Sequence, residues 1–131
     1  MVYALDELRG GANLGWPLVE GSQGYDGSAP PDDSYLGPIH EYSHSQGSAV
    51  TGGYVYRGSA LADFQGIYIF GDYCRGTIWG LVSAEDQGIL GVVEVARIAE
   101  GDLGSFGEGP DGELYVLSVN ESKVYRLDPP R

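Results

Sequence analysis

Two carboxylates in this chain stand where a turn can present them to a ligand. Asp72 ends an apolar run in Gly66-Ile-Tyr-Ile-Phe-Gly-Asp-Tyr-Cys-Arg-Gly-Thr-Ile-Trp-Gly-Leu81, at the point where a strand gives way to a hairpin turn. Glu108 follows Gly107 in a similar place. Carboxylates around a shared cavity divide general acid and general base work once one of them is desolvated, and they also ligate cations. Asp72, Arg75 and Glu108 are therefore the candidate catalytic residues, Tyr73 and Arg75 the candidates for cofactor contact, and His44 with Asp72 the candidate metal ligands. The competing role for these carboxylates is structural, as hydrogen bonds that lock one sheet to the next.

Other motifs are weaker. His40-Glu-Tyr-Ser-His44 spells a zinc-hydrolase pattern, which works only on a helix, where residues four apart share a face. Gly37 and Pro38 before it and Gly47 after it argue for strand and turn, and in a strand the two histidines stand about 13 Å apart, too far for one metal. Asp26, Asp32 and Asp33 lie in a proline-rich stretch without the alternating spacing of a calcium loop, so they read as a solvated acidic loop. Ser43, Ser48 and Ser105 have no nucleophile elbow around them, and no phosphate-binding glycine loop is present. Asn120-Glu-Ser122 is a glycosylation sequon by pattern alone. Trp16, Trp79, Tyr54 and Tyr56 either stack sugars or pack between sheets.

The elements that position these residues are strands. With 131 residues the chain has room for one domain of ordinary size, and its 22 glycines and 10 tyrosines fit a turn-rich all-β fold. Seven basic against nineteen acidic residues give a net charge of −12, which repels polyanions, so neither nucleic acid nor an anionic membrane is an expected partner. Cys74 is the single cysteine, excluding an intrachain disulfide. The residues after Met1 lack the basic and apolar regions of a secretory signal.

Alternation and glycine punctuation predict strands at Val2–Leu5, Pro38–Tyr42, Val50–Arg57, Ile67–Phe70, Thr77–Val82, Val92–Ile98, Glu113–Val119 and Lys123–Leu127, with a long surface loop over Gly21–Pro38 and a frayed end after Leu127. Gly66–Leu81 can be laid on Gly112–Leu127 without a gap, at an offset of 46 residues. A period near that value is what a four-stranded propeller blade needs, and the chain holds only about 2.8 such periods, whereas closed propellers use four to eight. The expectation is a single partial propeller domain of two to three blades, about half a ring: an incomplete blade with a long loop over 1–48, a complete blade over 49–100 and an incomplete one over 101–131. Unfinished edges aggregate or pair. The partner expected is a second copy of the chain, the homodimer closing a six-bladed ring.

Asn13-Leu-Gly-Trp-Pro17 with Glu20-Gly21, Pro38–His44, Ala49-Val-Thr-Gly-Gly-Tyr-Val-Tyr-Arg-Gly58, Gly66–Gly76 and Ser105-Phe-Gly-Glu108 together resemble, in collinear order, the carboxy-terminal part of the glucose/sorbosone dehydrogenase family. These are soluble quinoprotein sugar dehydrogenases. The resemblance implies a six-bladed β-propeller, usually periplasmic or secreted, with pyrroloquinoline quinone (PQQ) and calcium at its axis and an aldose oxidised at C1. It also implies that the family's catalytic histidine and arginine-asparagine pair come from blades upstream of Met1, and that the calcium loop ends just before Asp6. Its quinone-contacting basic residues align near Cys74 and Asp102–Gly104, with Arg75 adjacent. The expected function is that of a self-associating half-propeller of this family without its quinone and calcium machinery; the alternatives are a metal-assisted hydrolase or lactonase at the ring axis, and a non-catalytic binding or structural propeller.

Overall fold

The structure, a computed structural model, describes residues 11–26, 35–84 and 88–130. The strand expected at Val2–Leu5 and the acidic pair Asp32 and Asp33 lie outside the described residues. The chain is all-β: β1 (Val19–Glu20), β2 (Gln23–Gly24), β3 (Val50–Val55), β4 (Tyr68–Asp72), β5 (Thr77–Ala84), β6 (Gly88–Arg97), β7 (Leu103–Glu108), β8 (Leu114–Ser118) and β9 (Lys123–Arg126), with one 3-10 turn at Ala62–Phe64. These strands form three antiparallel sheets, none closed into a barrel.

The chain divides into two compact units, Met1–Tyr42 and Ser43–Arg131. In the first, β1 and β2 make a two-residue ladder. The Leu36 N–H donates to the Asn13 carbonyl at 2.7 Å, and Asn13 Oδ1 accepts from the Gly15 N–H at 2.9 Å. Gly15 has a φ of 89° and sits so close to Val19 that a Cβ there would lie 2.0 Å from its methyl. Pro38–Tyr42 does not form the expected strand; only His40 is in a bridge, because Gly37 is flexible and Pro38 has no N–H to give a ladder at its start.

The second unit carries two sheets, β3-β4-β5-β6 and β7-β8-β9. The 46-residue repeat is preserved in their register. Ile69, Phe70 and Gly71 oppose Gly80, Trp79 and Ile78, and their counterparts Tyr115, Val116 and Leu117 oppose Arg126, Tyr125 and Val124. The backbone repeats too. Gly66 and Gly112 have φ of 82° and 77°, while Gly76 at 63° is matched by Ser122 at 52°, the sole non-glycine residue with positive φ among those described. The strand β7 carries a weak sequence signal because Gly104 and Gly107 interrupt it, and Gly104 is required where a Cβ would meet Val119 at 2.4 Å.

The core lies between these two sheets. Tyr56, Ile69 and Ile78 meet Leu103, Phe106, Leu114 and Val116, with Val95, Ile98 and Leu127 packed around them. Alternation along each strand sends Ile69 and Ile78 to one face of the first sheet, and Leu114 and Val116 to the facing side of the second. Each fully buried aliphatic side chain contributes about 1.5–3 kcal/mol.

The left-handed positions make a direct test of the repeat. Gly76→Ala forces a Cβ to within 2.4 Å of the Ile98 carbonyl oxygen and is expected to destabilise by about 1–3 kcal/mol or more. Ser122→Gly relieves the same backbone region and is expected to be neutral or stabilising by up to about 1 kcal/mol. Urea unfolding measures both.

Candidate functional site

The hairpin turn between β4 and β5 is gripped by two loops. The N–H of Tyr73 donates to the Ala49 carbonyl at 2.8 Å, and the N–H of Gly101 donates to the carbonyls of Tyr73 and Cys74 at 3.0 and 3.2 Å. Asp72 is the centre of this arrangement. Its side chain is fully buried, Oδ2 accepts from the Ala49 N–H at 2.7 Å and Oδ1 from the Arg75 N–H at 2.9 Å. Gly47 lies against it so tightly that a Cβ would stand 2.5 Å from the carboxylate. The carboxylate thus ties the segment before β3 to the turn after β4.

The other candidates are distributed around and away from this turn. Tyr73 and Cys74 are exposed on it. Arg75 is exposed, with its guanidinium 3.6 Å from Glu100 and 3.4 Å from the Ser45 carbonyl. His44 is exposed in the turn that precedes Ala49, and residues 40–44 are not helical, so the zinc-hydrolase spacing lacks the geometry it needs. Among the described residues, no three His, Cys, Asp or Glu side chains converge on a point where a metal could sit. Glu108 is exposed at the end of β7 opposite Leu114, the far end of the second sheet from Ser118, the counterpart of Asp72. A five-residue strand, roughly 16 Å, separates the two ends. The structure therefore brings Asp72, Tyr73 and Arg75 together beside the segment of Ser45, Gly47 and Ala49 that follows His44 in the chain, and does not bring Glu108 to them.

Two further buried carboxylates have the same locking role. Asp102, just before β7, accepts from the Ser118 hydroxyl and from the Asn120 N–H at 2.6 Å, and Ser118 Oγ in turn accepts from the Glu121 N–H at 3.2 Å. Ser118 is thus bonded to the N–H three residues on, as Asp72 is to that of Arg75. The charge has moved. In the first sheet the turn carries the carboxylate and the preceding segment offers an N–H; in the second the preceding segment carries it and the turn offers a hydroxyl and an N–H.

Glu113 binds the sheets to each other at the opposite end. It accepts from the Tyr56 hydroxyl at 2.6 Å and from the N–H groups of Ser59 and Ala60 at 2.7 and 2.9 Å, while Tyr56 Oη accepts from the Leu61 N–H at 2.9 Å. Neither Asp102 nor Glu113 stands out in the sequence as a site residue. The signal for Glu113 is its position in the repeat, where the first copy has Ile67.

These bonds set the ionisation of both carboxyls. The Ser118 hydroxyl and then the Asn120 N–H hold Asp102 below the usual carboxylate range, and the Tyr56 hydroxyl and then the Ala60 N–H do the same for Glu113. Burial, then the bond to Glu113, pushes the Tyr56 phenol up. Carboxyls that ionise more readily when folded contribute stability above their unfolded pKa, near 4, and lose it as pH falls through the depressed folded values. The melting temperature is therefore expected to drop steeply below about pH 4. Glu113→Gln and Asp102→Asn are each expected to lower it at pH 7 and to flatten this acid limb, as thermal melts across pH would show.

The arrangement orders loops around an exposed Tyr73 and Arg75 and uses its buried acids as structural acceptors. Against known families, the model for glucose/sorbosone dehydrogenase matches residues 4–126. That match spans nearly the whole chain and agrees with the repeated strand pairs. The chain belongs to the glucose/sorbosone dehydrogenase family.

Proposed function

We propose that this chain forms part of a propeller ring of the sugar-dehydrogenase lineage, that a second copy completes the ring, and that the loops around Tyr73 and Arg75 face a small carbohydrate or lactone. One observation carries the reading. Ile69 and Ile78 are 1 % and 0 % exposed because the second sheet covers them; their counterparts on the same face of that second sheet are Tyr115, which is half-buried, and Val124, which is 65 % exposed. A face that is core in one copy of a repeat and bare in the next belongs to a head-to-tail stack, and such a stack either closes into a ring or runs on.

The family's quinone and calcium find poor complements among the described residues. PQQ carries three carboxylates and needs cations that are not already committed. On the Asp72 side Arg75 faces Glu100 at 3.6 Å, and Arg97 pairs with Glu94 at 2.9 Å. Asp72 and Asp102 are buried with their oxygens engaged by backbone and hydroxyl donors. These residues do not fit the quinone, and they assemble no calcium cage. What the chain's own residues support is ligand contact by Tyr73 and Arg75, with Asp72 as the positioning residue that sets their turn.

Light scattering on a size-exclusion column is expected to give a compact species near twice 14.0 kDa. Val124→Asp, which places a charge on the bare face, is expected to shift it to monomer without lowering the β content. A cooperative monomer of the unaltered chain would contradict ring completion by a second copy. With calcium and PQQ added, dye-coupled aldose oxidation is expected to stay at the level of a blank; robust turnover would show that the residues here do build the quinone site.

A further inference from the structure

Ser122 is an exception within the repeat. The left-handed position that closes the β4–β5 turn is held by Gly76, at a φ of 63°, and its counterpart in the β8–β9 turn is Ser122, at 52°. Glycine adopts that backbone without a steric penalty and serine does not, so the second turn carries a strained side chain where the first carries none. A strained non-glycine residue is an observation from which a role can be sought. The fold itself supplies no reason for the side chain, because the Ser122 hydroxyl makes no hydrogen bond among the described residues.

The sequence pairs that hydroxyl with an amide. Asn120-Glu-Ser122 is the acceptor triplet for N-linked glycosylation, in which the asparagine side chain takes the sugar and the hydroxyl two residues on is required beside it. The structure sets the triplet where a transferase reaches it. With Val119 it forms the whole β8–β9 turn, residues 119–122, and all four are exposed. The turn is held through its backbone, since Asp102 Oδ1 accepts from the Asn120 N–H at 2.6 Å and Ser118 Oγ from the Glu121 N–H at 3.2 Å. The middle carboxylate is occupied along β9, where Glu121 accepts from Lys123 and Tyr125. Asn120 Nδ2 donates one hydrogen to the Gly101 carbonyl at 2.9 Å, and its second hydrogen has no acceptor among the described residues. A substituent can replace that second hydrogen and leave the bond to Gly101 in place.

We propose that Asn120 is an N-glycosylation site of the folded chain, its co-substrate an oligosaccharide carried on a lipid pyrophosphate. In the transfer Nδ2 forms a bond to C1 of the first sugar and gives up one hydrogen as a proton. The bond from C1 to the pyrophosphate oxygen breaks, and the lipid pyrophosphate leaves. Ser122 supplies the hydroxyl that the transferase requires, which accounts for a side chain at a left-handed position. The inference does not depend on ring completion by a second copy.

The test incubates the full, folded chain with a lipid-linked oligosaccharide and a purified oligosaccharyltransferase that accepts Asn-x-Ser, and follows the intact mass. A gain of one oligosaccharide per chain is expected, reversed by an amidase that releases N-linked glycans, with the melting transition unchanged because Gly101 keeps its donor. Asn120→Gln and Ser122→Gly are each expected to lower the modified fraction at least tenfold. Ser122→Gly removes the hydroxyl while relieving the backbone, so its loss of modification is not a loss of fold. No gain on the folded chain, while a reference acceptor peptide is modified in the same reaction, overturns the proposal, as does a gain that persists in Asn120→Gln. Undiminished modification of Ser122→Gly overturns the role given to the hydroxyl.

Discussion

Everything in the larger unit depends on one apolar contact, the burial of Ile69 and Ile78 of the first sheet against the face of the second that carries Leu114 and Val116. Two glycines permit it. Gly71 passes so close to Leu103 that a Cβ would lie 2.3 Å from its methyl, and Gly53 meets the Ile69 carbonyl oxygen at 1.9 Å by the same measure. The contact is directional, because the face offered by the first sheet is not the face used by the second. The other face of the second sheet carries Val124, which is 65 % exposed.

Buried acids fix the loops around this contact. Asp72, Asp102 and Glu113 all accept backbone N–H groups from segments distant in sequence, so each one converts an otherwise loose connection into a defined one. Paired in this way, burial is tolerable; a carboxylate buried without such donors would neutralise or unfold its surroundings. Three carboxylates serving as structural acceptors also account for part of the acidic balance of the chain without invoking a cation. The turn that Asp72 sets leaves Tyr73 and Arg75 exposed on it.

The strands and their period were legible because glycines punctuate them and because two hairpins align without a gap. Phe70 with Trp79 and Val116 with Tyr125 are the same cross-strand pair twice, which alignment alone implies. The strand β7 was harder to see, since Gly104 and Gly107 dilute its pattern, and Pro38–Tyr42 looked more strand-like than it is because Ile39 and Tyr42 favour strands while its proline cannot donate. At the site, Asp72 was legible as a turn carboxylate, but its engagement by Ala49, 23 residues earlier, is a tertiary fact with no local signature. The separation of Glu108 from that turn follows from strand direction: one more strand crossing puts a similar glycine-acid pair at the opposite end of its sheet. Family membership was legible in the collinear motifs, and it rests on them and on the family match together.

The central claim is that the bare face of the second sheet is an interface of a head-to-tail stack. The accessibility of residue 124 tests it most directly, by thiol labelling of Val124→Cys in a Cys74→Ser background as protein concentration is raised. The account predicts that labelling slows at least tenfold as the assembly forms. A rate that stays constant at every concentration, in a chain that remains folded, would contradict it.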